Sequence, residues 1–208
     1  MRRVWGALVA VAMLATACEP MGPEEQREAA PAMFGKVEEE AELTFARYAQ
    51  GVGPAVAEAA LTAVVGQTNT LVVRYAGLPV LEQPVLLEFE IGPESLLTDG
   101  DGNPVVPGQA VAITVLLDPQ RFVFYFAPSG VTFSRSAPAR LRLNYEGADA
   151  DVNGDGEVNQ RDDVVKQRFR LWQLEVAGQP WQKLPTHKLD GDVVEGRVIH
   201  FTGFALAD

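Results

Sequence analysis

Apolar residues fall into three successive patterns along this chain. Residues 4–14 (VWGALVAVAML) form one apolar run, uninterrupted by charge, behind Arg2 and Arg3. Residues 36–50 (KVEEEAELTFARYAQ) favour helix by propensity, with Glu38, Glu39 and Glu40 in a first turn whose partial positive charge suits acids. Leu43, Ala46 and Ala49 give that segment only a thin apolar stripe. Residues 54–65 are Ala-rich and either extend the helix or lead into the first strand. From Thr68 onward the period drops to two, the signature of half-buried strands.

The clearest alternation is at residues 139–145 (ARLRLNY), where Leu141, Leu143 and Tyr145 face one way and Arg140, Arg142 and Asn144 the other. Residues 70–75, 84–91, 110–117, 121–126 and 171–176 are also strand-like, being rich in β-branched and aromatic side chains. Asp99-Gly100-Asp101-Gly102-Asn103-Pro104 is a turn cluster, and residues 160–168 favour a short helix. Short strands at this spacing, joined by Gly/Pro turns, predict a mostly β fold, an antiparallel β-sandwich of Ig-like type. The expected organisation is a leader at 1–17, a Pro-containing tether at 18–35, a helical and Ala-rich lead-in at 36–66, and a β-sandwich at 67–208. An insertion at 149–168 interrupts the last.

The first apolar run is too short to span a bilayer, for which about 20 residues are needed. With its basic start and the small residues that follow, it reads as an export signal. Ala15-Thr16-Ala17 precede Cys18, the single cysteine of the chain. This order resembles the lipobox of bacterial lipoproteins, with Ala15 where that motif usually carries Leu. The resemblance implies diacylglyceryl modification and acylation at Cys18, and hence an exported protein held by its N-terminal lipid on a bacterial membrane, facing periplasm or cell surface. Several acyl chains, each contributing about 0.8 kcal/mol per buried CH2, anchor stably where one would not. The alternative is ordinary cleavage after Ala17.

Charge narrows the partners. The formal net charge is −11, and loss of residues 1–17 removes two arginines and no acid. Such a balance argues against binding nucleic-acid phosphates and against adhesion to anionic lipid through a basic patch, and it is compatible with a protein partner at the cell envelope.

Residues 126–133 (FAPSGVTF), 138–141 (PARL), Trp181 and 200–205 (HFTGFA) form a further pattern. It is similar to uncharacterised exported bacterial proteins whose β domain resembles the ZU-type domain of ankyrins and netrin receptors. That resemblance, over roughly residues 84–207, implies a sandwich with an interaction role.

The sharpest chemistry lies at residues 151–162 (DVNGDGEVNQRD), which fit a twelve-residue calcium loop. Oxygen-bearing side chains at alternate places, Asp151, Asn153 and Asp155, converge if the chain turns sharply, and Gly156 permits that turn. Glu157 is expected to offer its carbonyl, Val158 to point into the core, Asn159 to bind directly or through water, and Asp162 to close the site. Asp149 adds charge without ligating. The alternative is a polar turn, since Asn, Asp and Gly favour turns on their own account. Asp in the last place resembles the dockerin repeat more than a calmodulin-type EF-hand. That resemblance implies Ca2+ held by Asp151, Asn153, Asp155, Glu157, Asn159 and Asp162. Dockerins carry two such repeats and this chain has one; an EF-hand also needs a helix before the loop, where this chain has a strand.

No catalytic motif stands out: there is no G-x-S-x-G, H-E-x-x-H or phosphate loop. His187 is expected in a loop and His200 on a strand, and Trp172 and Trp181 suit core packing better than a sugar platform. The sequence therefore points to a membrane-anchored, calcium-binding lipoprotein with a structural or interaction role rather than an enzyme. A docking module for a cohesin-type partner and a small surface hydrolase are the second and third expectations.

Overall fold

The computed structural model describes residues 37–38 (backbone only), 43–77 and 84–208. The expected leader, the tether and Cys18 lie outside the described residues. Along the chain the strands are β1 (Val37–Glu38), β2 (Gly53–Pro54), β3 (Glu58–Val64), β4 (Asn69–Ala76), β5 (Val85–Ile91), β6 (Ala110–Leu117), β7 (Val123–Ala127) and β8 (Ala139–Asn144). A helix, α1 (Gln160–Arg168), then precedes β9 (Arg170–Leu174), β10 (Trp181–Lys183), β11 (Thr186–Leu189), β12 (Val193–Val198) and β13 (Gly203–Ala207).

The strands pair antiparallel into two sheets, one ordered β1-β10-β9-β13-β7-β6-β3 and the other β11-β12-β8-β5-β4-β2. The fold is an antiparallel β-sandwich. Its strands obey the alternation read from sequence: in β8, Leu141 and Leu143 are buried while Arg140 and Arg142 face out. Arg142 there ion-pairs with Glu88 of β5 at 2.8 Å and Glu195 of β12 at 2.7 Å, so the outer face of this sheet is a ladder of opposite charges. Between the sheets, Phe89, Phe126, Phe133, Phe201 and Phe204 pack ring against ring with centroids 4.9–5.9 Å apart. Such offset and edge-on aromatic pairs add to simple burial.

β13 is buried along its whole length because both its faces are covered. Inside lies the main core. Outside lies a second apolar cluster of Leu43, Val123, Trp172, Leu174, Trp181, Ala205 and Ala207, against which Phe45 packs.

The helical lead-in expected at 36–66 is corrected. Val37–Glu38 is strand and residues 45–48 run extended through isolated bridges; of the two readings of 54–65 the strand is the one found, as β3, so the sandwich begins well before residue 67. The Ala46 N–H donates to the Leu206 carbonyl at 2.9 Å and its carbonyl accepts from Phe122 N–H at 3.0 Å. Tyr48 packs on Phe122 with ring centroids 4.2 Å apart. Helix propensity spans only about 0.7 kcal/mol per ordinary residue, whereas burying one large side chain contributes about 1.5–3 kcal/mol. Gly51, in the left-handed region at φ 77°, then turns the chain toward β2.

Candidate metal centre

Residues 145–169 carry the chain from β8 in one sheet to β9 in the other, so the candidate loop and α1 form a crossover between the layers. Two contacts position its beginning. The Tyr75 hydroxyl donates to the Asn144 carbonyl, and Gly147 sits so close to that ring that a Cβ would lie 2.5 Å from Tyr75 Cε1. Asp149 N–H then donates to the Arg47 carbonyl at 2.8 Å, which ties the loop to the extended segment.

Within the loop, Asp151 acts as an acceptor hub. Its Oδ1 accepts from Gly154 N–H at 2.9 Å and Asp155 N–H at 3.1 Å, and its Oδ2 accepts from Gly156 N–H at 2.8 Å. Asn153 Oδ1 accepts from Asp155 N–H at 2.8 Å, and Asp155 Oδ1 from Glu157 N–H at 2.9 Å. Gly154 and Gly156 both adopt positive φ, 73° and 85°, the conformation that lets the chain curl around these side chains. The polar-turn reading shares these bonds, since an Asx side chain bonding two residues on is ordinary turn chemistry.

The last third of the loop forms the capping box that opens α1. Asn159 is the N-cap of α1: its side chain accepts from Arg161 N–H at 2.9 Å, while Asp162 at the third helical position accepts from Asn159 N–H at 2.8 Å. The other Asp162 oxygen accepts from Val152 N–H at 2.9 Å and Asn153 N–H at 3.3 Å, closing the loop end to end. These N–H groups, Asn159 first and then Asn153 and Val152, hold the Asp162 carboxyl below its ordinary pKa against an opposing desolvation effect. Asp162 is 1% exposed, one of few buried polar side chains described.

The donor set is made of hard oxygens and suits Ca2+ or a like cation. Among the described residues no three Asp, Glu, His or Cys side chains are grouped closely enough to hold a metal by themselves. A cation here therefore needs the amide oxygens of Asn153 and Asn159 and the Glu157 carbonyl, and it must compete with backbone N–H groups for Asp162. Asp155 is further shared with Asn153 Nδ2 at 3.2 Å and Arg161 at 3.9 Å.

Two local expectations are corrected. Val158 is 69% exposed and does not pin the loop; Val152 is instead packed against the core, and Val165 and Phe169 belong to it. His187 lies on β11 rather than in a loop. His200 forms a bridge with Thr132 just before β13 and approaches Glu175 at 3.1 Å. Trp172 and Trp181 are buried, and Trp172 Nε1 donates to the Ala207 carbonyl, so neither offers a stacking platform. The Asp99 cluster is a turn in which Asp99 Oδ1 accepts from Asp101 and Asn103 N–H.

One feature had no signal in the sequence. A cleft of about 540 Å³ opens beside the loop, with Asp149, Asp151 and Asn153 on one side and Phe45, Arg47 and Arg121 among its other lining residues. Arg47 and Arg121 are bridge partners far apart in the chain, so no local pattern could reveal them. No family model matches the chain, and no curated protein or solved structure matches it either.

Proposed function

We propose that this chain is an exported, lipid-anchored envelope protein whose sandwich is braced by one calcium ion in the 151–162 loop, serving a structural or interaction role. The observation that carries the reading is Asp162. The twelfth residue of a calcium-type sequence is a buried acid, placed on the helix that leaves the loop and joined to the loop's own beginning. The ligands would be Asp151, Asn153, Asp155 and Asp162 by side chain, Glu157 by carbonyl, and Asn159 directly or through water.

A cation there would draw the Asp151 arm and the start of α1 together. Because this crossover joins the two sheets, binding would stabilise the sandwich and not merely order a tip. Extracellular calcium modules bind at about 10⁻⁴–10⁻³ M, and at ten times its Kd a ligand adds about 1.4 kcal/mol to folding stability. The membrane anchor rests on the order Arg2-Arg3, apolar run, Ala17-Cys18.

The test is calcium titration calorimetry on the chain and on Asp155→Ala, with melting followed in calcium and in chelator. The reading expects stoichiometric heat and a raised Tm that Asp155→Ala loses. Absence of heat and of any melting shift at millimolar calcium would leave the loop a hydrogen-bonded turn. For the anchor, the expected result is labelled fatty acid incorporated by the parent and not by Cys18→Ser.

A further inference from the structure

β3 ends its sheet, and no described strand lies beyond it. Which of its backbone groups are free follows from parity. The Leu117 N–H donates to the Ala57 carbonyl at 2.9 Å, and Val65 N–H donates to the Gln109 carbonyl at 2.9 Å, so odd-numbered residues bond toward β6. Even-numbered residues then turn N–H and C=O outward. At Val64 those groups are capped by the Asn69 side chain, at 2.9 and 3.0 Å. At Glu58, Ala60 and Thr62 no hydrogen bond from another described residue caps them.

Natural edges are usually guarded by Lys, Pro or a bulge. This one reads Glu-Ala-Ala-Leu-Thr-Ala-Val, with one charge at its end and no Lys, Arg or Pro. The outer face beside it is also uncharged: Ala60 and Thr62 lie in register with Thr114 and Ala112, and Leu116, 48% exposed, is opposite Glu58. The chain's other sheet carries Glu88, Arg140, Arg142 and Glu195 on its outer face. On a molecule of net charge −11, the β3 edge thus brings a single acid, Glu58, from each copy to the seam.

We infer that β3 pairs antiparallel with β3 of a second copy, about a two-fold axis through Leu61, to make one sheet continuous across two molecules. The strand is self-complementary in that register. Ala60 meets Thr62, and both present free ladder groups; Ala59 meets Ala63; Glu58 meets Val64, so the two acids stay at opposite ends. Leu61 is half-buried at the open margin of the core, and there it packs against its own mate. This interface is isologous, so it closes at a dimer, and it is independent of the cation loop.

The test is sedimentation equilibrium of the full chain carrying Cys18→Ser, over a range of concentrations, beside Ala60→Pro in the same background. Proline at residue 60 removes only an outward-facing N–H, so the fold tolerates it. Because the two-fold deletes the bond twice, dimer affinity should fall by about tenfold or more. Leu61→Cys supplies a second readout. In a non-hydrogen-bonded pair Cα atoms are about 4.5 Å apart, within disulfide range, so that variant should cross-link under oxidation. Glu58→Cys should not, because its two thiols would lie about 20 Å apart along the strands. A monomer at every concentration, a dimer indifferent to Ala60→Pro, or equal cross-linking at both positions would overturn the assignment.

Discussion

Phe169 is a residue through which the 151–162 loop and α1 are fastened to the sandwich, and Phe169→Ala measures that connection. The side chain is fully buried and follows the last turn of α1, where its N–H donates to the Lys166 carbonyl. Its ring meets Tyr145, the residue just after β8, edge-on at 5.7 Å and 87°. Truncating a fully buried Phe to Ala removes about 3–5 kcal/mol, a large part of the roughly 5–15 kcal/mol that holds such a domain together. At about 2–4 °C per kcal/mol for a domain of this size, Tm should drop by roughly 6–20 °C. Urea denaturation followed by the fluorescence of buried Trp172 and Trp181 gives the free energy directly. Val158→Ala, in the same crossover but facing solvent, should stay within about 0.5 kcal/mol of the parent. A loss below about 1 kcal/mol at Phe169, or an equal loss at Val158, would mean that the crossover lies on the sandwich without being part of its core.

Asp162→Asn should flatten the acid limb of the stability curve. The folded carboxyl has a pKa below its unfolded value, so its contribution is present above the ordinary carboxylate pKa of about 3.9 and is lost as pH falls through the lower folded value. Asparagine cannot accept from both Asn159 and the Val152–Asn153 pair, because its NH2 would face a donor; an acid limb unchanged in the variant contradicts the assigned role. Gly147→Ala places a Cβ 2.5 Å from Tyr75 Cε1 and 3.0 Å from Val52 Cγ1. Overpacking of this kind costs about 1–3 kcal/mol, readable in the same urea titration; unaltered stability would mean that Tyr75 does not hold the entrance to the loop.

Local chemistry was legible in the chain wherever neighbours in sequence are neighbours in space. Period-two alternation marks β8 residue by residue, because a strand's side chains point to opposite faces whatever sheet it joins. The loop at 151–162 and α1 at Gln160–Arg168 were readable for the same reason, since Asn159, Asp162 and the two glycines act on backbone groups at most ten residues away. The lead-in was not legible. Its helix propensity is a local preference of tenths of a kcal/mol per residue. It is overruled by the bond that Ala46 N–H donates to Leu206, by the bond that the Ala46 carbonyl accepts from Phe122, and by the packing of Tyr48 on Phe122, all between residues more than seventy positions apart.

The direction of Val158, the placing of β3 at an open edge, and the charge ladder around Arg142 belong to the same class. The sequence by itself marked β4 to β9 as strands, the turn at Asp99, and which oxygens could gather in one loop. The tertiary structure decided which strand borders which, which valine of the loop faces the core, and that the loop bridges the two sheets. Those choices are made by burial and backbone pairing between distant segments, and a hydrogen-bonding group in a strand does not encode the identity of its partner.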